Sequence, residues 1–175
     1  MVPDLDLQLQ VAIKALTDNV MPAVDPANKM AVEQLQLTVA TLTMVRSRLP
    51  IARRFTRRSL EDDIAMLHSL RGLIPVADIA RAPDHADALE DAIARGRTLL
   101  ADTEADTDVL EDYRTILAEI TVSAIKELQN GSTAAAVESL ILDATRRSIE
   151  RRRAWCLPSG FEPYPSRIPA IETLL

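Results

Sequence analysis

The chain has 175 residues, 47% hydrophobic and 26% charged, which fits one ordinary globular domain and excludes a disordered chain. Aromatics make up 3% and glycines number four, so the core must come from Leu, Ile, Val, Ala and Met, and an antiparallel β protein with glycine-rich turns is excluded. The net charge of −6 argues against nucleic acid as the main partner, and a single cysteine, Cys156, allows neither an internal disulfide nor a cysteine zinc site.

Six segments carry helical periodicity, and none alternates with a period of two. Residues 4–22 place Leu5, Leu9, Ala12, Ile13, Leu16 and Val20 on one face, with Asp4 as the cap and Pro22 as the stop. Asp25 and Pro26 read as N-cap and first residue of the second helix, whose Val32, Leu35, Val39, Leu42, Val45 and Leu49 recur at three and four; Pro50 ends or kinks it. Over 51–72, Ile64, Leu67, Leu70 and Ile74 form a stripe, and Gly72 and Pro75 stop it. Ser59 with Asp62 has the spacing of a capping pair, so this stretch is one helix or two.

Residues 75–83 read as a connector. The fourth helix spans about 84–101 with Leu89, Ile93, Leu99 and Leu100 inward, and the acidic run Asp102 to Asp108 separates it from the fifth. That helix, about 107–129, is the most regular: Leu110, Tyr113, Leu117, Ile120, Ala124 and Leu128 mark one stripe, and Asn130-Gly131 closes it. Ser132 or Thr133 caps a sixth helix to about 155, with Val137, Leu140, Ile141, Ala144 and Ile149 inward. The pattern predicts an all-α, antiparallel bundle of five to six helices over 1–156. Residues 157–175 differ: Pro158, Gly160, Pro163, Pro165 and Pro169 make them an irregular arm.

No run of apolar residues approaches the ~20 needed to span a bilayer, and the N-terminus shows no basic region followed by an apolar stretch, so the expected location is the cytoplasm. No catalytic, metal or nucleotide motif emerges, and no cofactor is expected. His68 and His85, the two histidines, lack the Glu three residues earlier that a di-iron bundle site requires; His68 reads as a structural or solvent-edge histidine and His85 as a solvated cap-region side chain. Cys156 reads as an inert thiol packed beside Trp155. Asn130-Gly131-Ser132-Thr133 lacks the second glycine and the lysine of a phosphate loop and reads as a turn between helices.

Two features stand out from this background. Residues 46–58 carry six arginines and no acid, and 146–153 carry five arginines against Glu150. Arg53, Arg54, Arg57 and Arg58, with Arg146, Arg147, Arg151 and Arg152, could hold an anion, either a phosphate-bearing molecule or an acidic protein surface, or could pair with the acidic middle of the chain. The arm holds the second feature: Trp155, Phe161 and Tyr164 are three of five aromatics in the chain, and Ile168, Ile171, Leu174 and Leu175 follow. Left in water, such side chains forgo burial worth roughly 1.5–3 kcal/mol each, so the arm is expected to dock on its own bundle or on a partner subunit.

The stretches LQVAIKALTDNVMPAVDPANKMAVEQLQLTVATLTMVRSRL and LEDAIARGRTLLADTEADTDVLEDYRTILAEITVSAIKEL resemble a family of small bacterial helical domains of unknown function, often encoded beside phosphotransferase-like and acyl-CoA dehydrogenase-like proteins. The resemblance covers about half the chain, leaves out the arm, supplies no catalytic motif and implies at most an accessory role near acyl-CoA metabolism. Together these observations lead to the expectation of a non-enzymatic helical interaction or accessory protein, a homodimer. The alternative is a small-molecule-binding bundle whose arginines hold an anionic group such as a CoA phosphate.

Overall fold

The computed structural model describes residues 4–74, 83–129 and 132–175, without the side chains of 83–85. The connector read at 75–83, the Asn130-Gly131 stop and the His85 side chain lie outside the described residues. The chain is all-α: α1 (Leu5–Ala15), α2 (Lys29–Arg48), α3 (Ala52–Leu73), α4 (Pro83–Ala101), α5 (Thr107–Leu128) and α6 (Ala134–Cys156), with no strand among the described residues. No helix among them is long and apolar enough to cross a membrane. The chain divides into two compact units, a core unit (Arg53–Ile149, with Leu175) and a hairpin unit (Met1–Ala52 with Glu150–Leu174).

The core unit holds nearly all the dry interior. Leu60, Ile64, Leu67 and Leu70 of α3 meet Leu89, Ala92 and Ile93 of α4, then Leu110, Tyr113, Leu117, Ala124 and Leu128 of α5 and Val137 of α6. Cross-helix bonds fix the directions. Arg57, near the start of α3, reaches the carbonyls of Leu100 and Asp102 at the end of α4, and Arg71, near the end of α3, pairs at 2.7 Å with Glu90 near the start of α4. α3 and α4 are therefore antiparallel. Thr56 on α3 donates to Glu111 on α5 at 2.8 Å, so the starts of α3 and α5 lie together and these two run the same way.

Gly96 allows the tight approach of α4: a Cβ there would sit 2.8 Å from Ile64 Cδ1 and 3.3 Å from Tyr113 Cε1. Tyr113 is buried and donates its hydroxyl to the Ala92 carbonyl at 2.7 Å, which removes the penalty of an unpaired polar group in the core. Residues 52–73 form one helix. Ser59 caps nothing: it is buried mid-helix and donates to the Phe55 carbonyl at 2.9 Å. Gly72 lies within the last turn of α3 instead of ending it.

The hairpin unit is built differently. α1 and α2 are antiparallel, held by the Asp6–Arg46 pair at 2.7 Å. α1 passes into a π-helical turn at Leu16–Val20 and a 3-10 turn at Met21–Ala23, so the regular face expected over 4–22 drifts from Leu16 onward and Val20 is exposed; Leu5, in the first turn of α1, is exposed as well. α2 begins three residues later than its cap signal suggests. Asp25 accepts from Ala27 N at 2.9 Å and spends its carboxylate on the Pro26-Ala27 turn, while Asn28 caps Lys29 by accepting from Ala31 N. Pro50 sits in a 3-10 turn at Leu49–Ile51 that leads directly into α3.

Two further expectations fail for a shared reason. Val45 on α2, Leu49 just past its end, and Ile149 at 52% on α6 are exposed, while Arg48 and Arg151 are buried. The inward stripe of each helix continues through an arginine, which turns the expected aliphatic residue outward. A long aliphatic stem makes an arginine an adequate core residue when backbone carbonyls receive its head.

Candidate interaction site

The last residue of α2, Arg48, points at the end of α6. Its Nε donates to the Trp155 carbonyl and its Nη2 to the Ala154 carbonyl, both at 2.8 Å, and its guanidinium carbon lies 5.6 Å from the centroid of the Trp155 ring. The final carbonyls of a helix have no partner within it and carry the negative end of its dipole, so a cation placed there satisfies both needs. Burial pulls the Arg48 guanidinium below its usual range, with Glu172 and Cys156 opposing.

The same device recurs in the core unit. Arg53 donates to the Thr103 carbonyl, and Arg57 to those of Leu100 and Asp102 just past the end of α4. Arg58 pairs with Glu61 and Asp62 on its own helix. The first arginine cluster is thus largely engaged in closing helix ends and pairing with acids, and Arg54 alone in it is exposed without a bond to any described residue. In the second cluster Arg151 is buried and donates to the Leu174 carbonyl at 3.2 Å, whereas Arg146, Arg147 and Arg152 are exposed.

The arm follows from these contacts. A 3-10 turn at Leu157–Ser159 packs on α2, and Gly160, at φ 80°, takes the left-handed conformation that closes it. Glu162 then pairs with Arg153 at 2.7 Å, Ile171 is 3% exposed, and Arg151 holds the Leu174 carbonyl. Trp155 and Ile168 are half-buried. Phe161 and Tyr164 are not docked on their own chain: they are 67% and 58% exposed, and Arg167 stacks over the Tyr164 ring at 4.8 Å. Fixed contacts on both sides hold the segment between them, so the two aromatics are displayed on an ordered loop. Cys156 is exposed too, contrary to the packed thiol expected. No group of His, Cys, Asp and Glu among the described residues is placed to hold a metal ion.

Three carboxylates give the chain a pH signature. The hydrogen bond from Arg153 holds Glu162 below its ordinary range, and the bond from Arg46 does the same for Asp6. A carboxylate with a depressed folded value stabilises the fold above its unfolded value, about 4.3 for Glu, and loses that contribution as pH falls. Asp63 in the core unit has the opposite sign: burial raises it in spite of Arg114, so its contribution is present in acid and lost as pH rises. Lowering the pH from about 5 to below 4 is therefore expected to loosen the arm before the core. Fluorescence of Trp155, the single tryptophan, should change in this range while far-UV circular dichroism holds, and Glu162→Gln should flatten the fluorescence change.

No family model matches the chain, and no characterised protein or solved structure matches it.

Proposed function

We propose that this chain is a non-enzymatic helical interaction protein that self-associates, as a cytoplasmic homodimer, through its hairpin unit. The supporting observation is the distribution of apolar side chains. Of the seventeen buried hydrophobic residues described, the hairpin unit holds two, Ala154 and Ile171; of the fourteen exposed large ones it holds nine, from Leu5 on α1 to Tyr164 on the arm. A two-helix hairpin and an arm have little interior of their own, and a second copy would supply one.

Charge points the same way. The hairpin unit carries eight Lys and Arg against eight Asp and Glu, so the net −6 belongs to the core unit. A two-fold interface brings each patch against its own copy, which a neutral apolar surface tolerates and a charged one resists. Phe161, Tyr164 and Arg167 are of the residue types that carry most of the affinity in interfaces, and the docked arm holds them in place before association.

The test is a pair of surface substitutions. Phe161→Ser with Tyr164→Ser should weaken self-association by at least tenfold without lowering the melting temperature of the dissociated chain. Sedimentation equilibrium measures the first effect and calorimetry at low concentration the second. An unchanged association constant would remove the aromatic pair from the interface.

A further inference from the structure

A cleft within the core unit, about 390 Å³ in volume, lies between α3 and α4 and is a different feature from the proposed self-association face. It sits at the small end of the roughly 300–1,000 Å³ typical of small-molecule sites. Ile64, Ala65 and Leu100 form its apolar part, and Glu61, His68, Arg97 and Ser69, whose hydroxyl donates to the Ala65 carbonyl, its polar part. Helix periodicity explains the grouping. Residues 61, 64, 65 and 68 fall on one face of α3, with 61 and 68 about 10 Å apart along the axis, and 97 and 100 are neighbours on α4.

The polar groups are not equivalent. Glu61 is already satisfied by Arg58 at 3.0 Å. Arg97 and His68 are exposed and make no ion pair or hydrogen bond with any described residue. Because α3 and α4 are antiparallel, with Gly96 against Ile64 and Leu100 bonded by Arg57, Arg97 lies closer than Leu100 to the His68 end. The cleft therefore has Leu100 and the Arg58-paired Glu61 at one end, His68 at the other, and the unpaired Arg97 guanidinium between them beside the aliphatic side chains. The geometry points to a binding site for a small amphipathic carboxylate of medium chain length, its aliphatic body on Ile64, Ala65 and Leu100 and its carboxylate on Arg97 and His68. A guanidinium receives a carboxylate in two parallel hydrogen bonds, whereas an ammonium head is repelled by Arg97 and finds the Glu61 carboxylate already paired with Arg58.

The probe is octanoate, followed by ¹H–¹⁵N shift changes in the intact chain, with octylammonium as the charge-reversed control. Octanoate should give saturable shifts confined to residues 61–69 and 97–100, and octylammonium should give none there. Arg97→Gln should weaken octanoate binding at least fivefold. Ala65→Leu, which fills the apolar part and leaves every charge in place, should abolish it with the circular dichroism unchanged. Shifts that are scattered or never saturate, an equal response to octylammonium, or undiminished binding by both variants would each overturn the proposal. None of these outcomes depends on whether the hairpin unit self-associates.

Discussion

Leu117→Ala is expected to cost about 2–5 kcal/mol, the range for removing three buried carbons from a core that cannot fully collapse onto the gap. Leu117 is fully buried at the middle of α5, in the same core cluster as the stripes of α3 and α4. The loss should appear in urea unfolding followed by circular dichroism as a lower midpoint with an unchanged slope, which marks a change in stability and not in the surface exposed. A slope that falls as well would mean that the substitution disturbs the cooperativity of the unit. Leu142→Ala, on the exposed face of α6, is the matching control and should have little effect.

The second large effect lies in the hairpin unit. Arg48→Met keeps most of the buried stem and removes the head, so the carbonyls of Ala154 and Trp155 lose their donors and the Trp155 ring loses its cation. Hydrogen bonds from a charged donor contribute about 1.5–3 kcal/mol, and a partly desolvated cation over an indole about 0.5–2. Restored helix-end solvation recovers part of this, so a net loss of about 3 kcal/mol is expected. Trp155 lies against the altered residue, and its fluorescence during urea unfolding should report the earlier transition. Arg48→Lys keeps the charge but not the two-pronged head and should fall between. A Met variant as stable as the wild type would show that the end of α6 is held by other contacts.

These two residues also mark where the sequence was legible and where it was not. The α5 stripe through Leu110, Tyr113, Leu117, Ala124 and Leu128 could be read directly, because a helix packed on several others buries a broad apolar face and nothing competes with that pattern. Hydropathy fails at Arg48 and Arg151, since it scores an arginine by its charged head and cannot register carbonyls supplied from 106 and 23 positions away. The same blindness made 46–58 look like one basic patch. Its members separate into a pair with Asp6, closures of the ends of α6 and α4, a local pair with Glu61, and Arg54, exposed without a bond to any described residue. Ser59 and Asp25 mislead for a local reason: each has a second use for its oxygen, the Phe55 carbonyl in one case and the Ala27 amide in the other.

The arm was half legible. Its prolines and Gly160 announce irregular backbone, realised as three short 3-10 turns, and its apolar residues announce docking, realised at Ile171. Which aromatics would be covered depended on the Arg153–Glu162 pair that fixes the path of the chain, and no periodicity encodes that. Phe161 and Tyr164 acquire their significance only from being held outside while both flanks are held in.

The central claim is that the hairpin unit is completed by a second copy of itself. Light scattering of the intact chain over a dilution series tests it most directly. The account predicts twice the 19.3 kDa chain mass at tens of micromolar, falling toward the single-chain value on dilution, with little dependence on salt because the face is neutral. A mass of 19.3 kDa at every concentration up to the millimolar range would contradict it.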